Sequence, residues 1–199
     1  MEHTANRIEL CGSLVELPQF SHENHEKRFY RCLLEVERLS GTVDVLPVIV
    51  PEWVLEQMDV SGGSMLAVTG QIRSFNSRLS GGRRLVISVY AETLKACEDE
   101  PSNLVELTGV ACKEPVYRRT PLGREICDVM LAVNRPYHRA DYIPCIFWGR
   151  TAADVAACTV GDALSLTGRL QSREYIKVLE NGSESRTAYE VSAMTAEIL

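Results

Sequence analysis

Two stretches of the chain are one stretch written twice. When NRIELCGSLVELPQF is set beside NLVELTGVACKEPVY, Asn6, Leu10, Gly12 and Pro18 fall on Asn103, Leu107, Gly109 and Pro115, a constant offset of 97. The register continues with Leu34 and Val36 on Leu131 and Val133, and with DVLPVIV from Asp44 on DYIPCIF from Asp141. After one extra residue, LAVTGQI from Leu66 meets LSLTGRL from Leu164, and LVISVYAETL from Leu85 is matched to YEVSAMTAEI from Tyr189. A repeat of this period calls for two similar bodies in tandem. The first is expected over 1–97 and the second over 103–199, joined by a linker, 98–102, inside the acidic run CEDEPS of Cys97–Ser102.

Each copy reads as five short strands with one short helix between the third and fourth. Strand one alternates Ile8, Leu10, Gly12, Leu14 in the first copy and Val105, Leu107, Gly109, Ala111 in the second. Strand two buries Tyr30, Cys32, Leu34, Val36, or Cys127, Val129, Leu131, Val133. Strand four buries Leu66, Val68, Gly70, Ile72, or Leu164, Leu166, Gly168, Leu170. A glycine within a strand permits the sharp bend that a small closed barrel needs. The second helix is expected to open at Thr151, with Asp154 answering the cap, and to stop before Gly161. The first is expected to place Pro51 in its opening turn and to end at Gly62 and Gly63. Asn181 and Gly182 supply the turn of the last hairpin. Pro47 and Pro144, inside strand three, imply either a bulge or a position whose missing N–H has no partner to face.

The stretch LAVNRPYHRADYIPCIFWGR, from Leu131 to Arg150, carries the chemistry. Alternation along its second strand puts Ile143, Cys145 and Phe147 on one face and Tyr142, Ile146 and Trp148 on the other. Arg135, Tyr137, His138 and Arg139 lie at the turn, and Arg150 follows the strand. Strand four adds Thr167, Arg169, Gln171, Arg173 and Tyr175, with Lys177 in step, on the face opposite its core residues. Aromatics interleaved with cations on one sheet face form a platform on which bases stack while arginines neutralise phosphates or lie on the rings. The run LAVNRP, a turn, an aromatic, a short apolar stretch and a Trp resembles the bacterial single-stranded DNA-binding protein family, in its tandem OB-fold form. Strand count and helix placement match the OB-fold, and the resemblance implies the Greek-key topology of two five-stranded barrels that are all β apart from one short helix each. It also implies that aromatics at Tyr142, Trp148 and Tyr175 are the stacking residues, with Tyr137 where another stacks in the turn. The chain departs from the family pattern in a shorter turn and in Pro144, where a polar residue is usual.

The first copy is poorer. Val45, Val50 and Pro51 stand where the second has Tyr142, Phe147 and Trp148, and Ser77 stands for Tyr175. What remains is Arg73 and Phe75 on strand four, and Arg78, Arg83 and Arg84 around the Ser80–Gly82 tip. This copy reads either as a weak electrostatic contributor or as a domain kept for dimer geometry, with Phe29 and Trp53 in core or helix packing.

The net charge of −6 is unusual for a partner of nucleic acid. The halves differ, however: residues 1–100 hold ten basic against fifteen acidic side chains, and 101–199 hold eleven against twelve. Seven cysteines, an odd number without a CxxC, read as free thiols in apolar strands rather than disulfides or zinc ligands. No apolar window reaches membrane length and no leader pattern opens the chain, so a cytoplasmic protein is expected. Three of four histidines lie near the N-terminus, and the His22–His25 pair lacks further ligands, so no enzyme, metal or cofactor is expected. The resemblance implies that the partner is single-stranded DNA, bound in replication, recombination or repair. The resemblance implies a homodimer presenting four OB-folds, and the ending TAEIL after strand five implies no acidic tip for recruiting partners. The rival reading is a protein-interaction module of a primosome-like assembly.

Overall fold

The computed structural model describes residues 5–57, 63–79, 82–179 and 182–199. The first half contains β1 (Asn6–Leu14), β2 (Gln19–Asn24), β3 (Lys27–Glu37), β4 (Val43–Pro51), α1 (Glu52–Leu55), β5 (Met65–Leu79) and β6 (Gly82–Ala96). The second contains β7 (Ser102–Ala111), β8 (Val116–Arg119), β9 (Glu125–Arg135), β10 (Arg139–Trp148), α2 (Gly149–Val155), β11 (Ala163–Leu179) and β12 (Gly182–Ile198).

Each half closes into a barrel because its alternating apolar positions all turn inward. Ile8, Leu10, Leu34, Val48, Val68 and Val89 are buried in the first barrel, and Val105, Leu107, Leu131, Phe147, Leu166 and Val191 in the second. The third strand pairs in parallel with the last, Val48 with Val89 and Cys145 with Val191. Strand one then closes the barrel against strand two, giving the OB-fold order. Gly12 and Gly109 make the closure possible: a Cβ there would lie 2.3 Å from the Glu35 carbonyl oxygen and 2.7 Å from that of Ala132.

Six strands are present per half where five were expected, because strand one is interrupted. The end of β1 and all of β2 lie on the same strand, β3, with Leu14 opposite Leu34 and Gln19 opposite Arg31. The gap contains Pro18, which cannot donate to a ladder, and β7 and β8 repeat the arrangement around Pro115. The strands are also not uniformly short. The last hairpin has arms of 15 residues in the first half and 17 in the second. Those extra residues correct the repeat alignment: Val89 corresponds to Val191, since both pair with the third and fourth strands, so Leu85 corresponds to Thr187 rather than Tyr189.

Neither helix begins as expected. Helix α2 starts at Gly149, with φ +57, and Trp148 rather than Thr151 occupies the cap position, without a side-chain hydrogen bond. Helix α1 is a single turn after Pro51, which ends β4 in extended conformation, so the helix stops well before Gly63. Gly62, the tip residues Ser80 and Gly81, the turn residue Asn181, and His3 lie outside the described residues, as do the side chains of Arg78 and Arg83. Pro47 and Pro144 cause no bulge. Each stands one residue before parallel pairing with the last strand begins, where its missing N–H breaks no ladder bond.

The barrels join edge to edge. Strands β1 and β7 pair antiparallel, Asn6 opposite Leu107 through Cys11 opposite Ser102, so one twelve-stranded sheet runs through the molecule. Asn6 donates to the Ile72 carbonyl and accepts from its N–H, and Asn103 does the same for Leu170. All seven cysteines are free, five of them buried, and burial pushes the Cys127 thiol up to about 11.

Candidate nucleic-acid interface

Strand β10 follows its alternation. Ile143, Cys145 and Phe147 are buried, whereas Tyr142 and Trp148 are 44% and 39% exposed. Ile146 shares the outward parity but is covered, contrary to expectation. Trp148 is oriented from β12, for its Nε1 donates at 3.1 Å to Oγ of Ser192, the parallel partner of Ile146. Its edge also lines a shallow depression with Gly123, Arg124, Glu125 and Gly149.

The β11–β12 hairpin extends this face. Cross-strand pairs set Arg169 opposite Ser192, Gln171 opposite Glu190, Tyr175 opposite Arg186 and Lys177 opposite Glu184. The Arg173 guanidinium lies 5.9 Å from the Tyr175 ring centroid, holding cation and ring together, while its Nε is 3.6 Å from Glu190. Glu190 also accepts from Gln171 at 2.9 Å. Arg169 is half-buried, and its Nε has no hydrogen-bond partner among the described residues. Tyr142, Trp148, Arg169, Arg173, Tyr175 and Lys177 are thus brought onto one curved surface.

Arg73 and Arg135 are placed differently. Both reach the fully buried Asp141 carboxylate, at 3.2 and 3.0 Å, and Asp141 also accepts the Ser74 N–H at 2.7 Å. Burial pulls the Arg73 guanidinium below its ordinary value, Asp141 opposes that pull, and Arg135 adds to it. The Ser74 hydroxyl accepts the Tyr142 N–H at 2.7 Å, so a strand of the first barrel supports the stacking strand of the second. Arg73 thus ties the first barrel to the second at the edge of the surface, and Arg135 is held on the same carboxylate within its own barrel. Tyr137, 91% exposed, stands at the β9–β10 turn with φ +63, next to His138 at +54. Arg139 and Arg150 are exposed, and neither forms an ion pair among the described residues.

In the first barrel Phe75 is 56% exposed on β5. Trp53, expected in packing, is 51% exposed on α1, and Phe29 is half-buried against Tyr90. The sequence reading missed Arg124, Ser192 and Tyr90. Tyr90 and Ser192 become visible only in the corrected hairpin register, where they occupy equivalent positions. The His22 ring stacks on Phe29, and among the described residues no three His, Cys, Asp or Glu side chains converge on a metal-sized site.

Residues 102–199 match the model of the Single-strand binding protein family. The chain is 38% identical over 80 residues to Single-stranded DNA-binding protein B of Bacillus subtilis, covering 37% of this chain and 71% of that protein. It is 34% identical over 102 residues to Single-stranded DNA-binding protein 3 of Listeria innocua, covering 48% of this chain and 60% of that protein. Several relatives are thus matched over less than two thirds of their length. In fold, the wild-type single-stranded DNA binding protein from Thermus aquaticus superposes with a TM-score of 0.81 at 21% identity, over 98% of this chain and 93% of that one. A deletion mutant of the same protein covers all of this chain with the same score.

Proposed function

The chain belongs to the single-strand binding protein family, and from that premise we propose that it binds single-stranded DNA without regard to sequence, in replication, recombination or repair. The carrying observation is the exposure of Tyr142 and Trp148 beside Tyr175 and Arg173 on a single face. Rings half-open to solvent leave one face for a base, and stacking contributes about 1–3 kcal/mol per base whatever the base is. A duplex keeps its bases stacked on each other, so this mode favours single strands.

The assigned contacts are Tyr137, Tyr142, Trp148 and Tyr175 for bases, and Arg139, Arg150, Arg169, Arg173 and Lys177 for phosphates. Arg73 and Arg135 are reassigned to the support of this surface, because Asp141 already occupies them. The reading places the protein in the cytoplasm as a binder rather than a catalyst, and no helix described is long and apolar enough to cross a membrane. A homodimer presenting four barrels is part of the proposal. It draws support from the β1–β7 junction, whose outward residues Arg7, Leu104 and Glu106 are exposed.

Titrating Trp fluorescence with oligo-dT and with duplex of the same length tests the function. Quenching at least tenfold tighter for the single strand is expected, and equal affinity for duplex contradicts the stacking mode. Light scattering that returns a monomer at micromolar concentration contradicts the dimer.

A further inference from the structure

The two barrels distribute their aromatics differently across three neighbouring strands. In the second, Trp148 stands on the middle strand, with Ile126 opposite it on one side and Ser192 hydrogen-bonded on the other. In the first, Pro51 takes the middle position, with Phe29 opposite it and Tyr90 on the far flank as the parallel partner of Ile49. Large and small residues have exchanged places. The rings of Phe29 and Tyr90 approach to 6.3 Å across the small proline, inclined at 49°. His22 extends the group, stacked on Phe29 at 4.9 Å and 11°. Arg73 lies 5.6 Å from the Tyr90 centroid, and the exposed Arg31 is two residues along from Phe29 on the same face of β3.

We propose that the first barrel holds a second base-stacking site, made by Phe29 and Tyr90 on either side of Pro51, with His22 as its outer ring. This rests on the single-stranded DNA reading of the second barrel. Partly exposed rings match what a nucleobase requires, and the exposed Arg31 beside Phe29 is placed for its phosphate, while Arg73, held by Asp141, steadies the Tyr90 ring. The strand that ends at this site is also anchored to the hairpin that carries the platform of the second barrel. Ser172, beside Arg173 on the β11–β12 hairpin, donates its N–H and hydroxyl to Asp44 at the start of β4, the strand that ends at Pro51.

Calorimetric titration with oligo-dT of about 8 nucleotides, a length suited to one barrel, counts the sites. The unaltered chain is expected to take up two oligonucleotides, and the Phe29→Ala, Tyr90→Ala double variant one. One oligonucleotide per unaltered chain, or an unchanged count in the variant, overturns the second site and leaves the platform of the second barrel standing. No uptake at all overturns the DNA reading itself. Photo-crosslinking of the unaltered protein to oligo-dT avoids any effect of substitution on folding. Adducts at Phe29 or Tyr90 are expected besides those in the second barrel, and adducts confined to the second barrel overturn the inference.

Discussion

The Asp44 carboxylate in the first barrel accepts the Ser172 backbone N–H in the second at 2.7 Å, and a bidentate pair from Arg38 completes its shell. Asp141 and Ser74 repeat the bond in the opposite direction. Each barrel therefore lends its third strand a contact from the other's hairpin, and the stacking strand β10 is held from outside its own barrel.

Asp44 is fully buried, and Asp44→Ala strands both the Arg38 guanidinium and the Ser172 N–H. Breaking one side of a buried pair costs about 3–5 kcal/mol. Urea denaturation is expected to show a loss of this size. Replacing Arg38 by Leu in the same chain should return part of it, because the uncompensated charge is then gone.

Acid should act through the same carboxylate. Burial opposes ionisation of Asp44, but the hydrogen bonds from Arg38 and Ser172 outweigh it, and the group sits below its ordinary value of 3.8. A carboxyl depressed on folding contributes stability above its unfolded value and loses it as pH falls through the folded one. Melting temperature should carry the full contribution of Asp44, unchanged with pH, between pH 7 and 5, and lose it as pH falls below about 4. Asp44→Asn should lack that part of the acid loss.

Much of this was legible in the residues. The 97-residue offset gave two barrels, and period-two alternation placed Tyr142 and Trp148 outward, because one apolar face per strand leaves no choice of register. The hairpin arms were not legible, since Ile176 and Val178 alternate with polar residues far from any core and are 72% and 81% exposed. That length displaced the last-strand alignment by two residues and hid the equivalence of Tyr90 and Ser192. Arg73 and Arg135 read as phosphate ligands because a linear sequence does not show that Asp141 lies between them. Ile146 read as exposed because strand parity gives direction, not coverage.

The register shift of the β11–β12 hairpin depends on Gly168. A Cβ there meets backbone, Ser192 oxygen at 2.4 Å and Ala193 Cα at 3.0 Å, neither of which a side-chain rotation relieves. Gly168→Ala is expected to destabilise by about 1–3 kcal/mol, as overpacking does, with the midpoint of chemical denaturation as the measure.

Salt dependence should be shallow. Asp141 holds Arg73 and Arg135, and Glu190 stands near Arg173, which leaves mainly Arg139, Arg150, Arg169 and Lys177 for phosphates. At about 0.7 per phosphate on a single strand, log K against log salt should have a slope of magnitude roughly 2 to 3. A slope several times steeper would mean that charge rather than stacking supplies the affinity.

The most direct test of the account is oligo-dT affinity of the Trp148→Ala, Tyr175→Ala double variant, measured alongside its circular dichroism. Each ring should contribute about 1–3 kcal/mol, five-fold to over a hundred-fold in affinity, so the pair should bring binding by the second barrel close to its limit of detection. Both side chains lie on the face opposite the core residues of their strands, and the fold should persist. A variant that binds as the parent does, or that unfolds, would show these rings to be packing residues and would contradict the assignment.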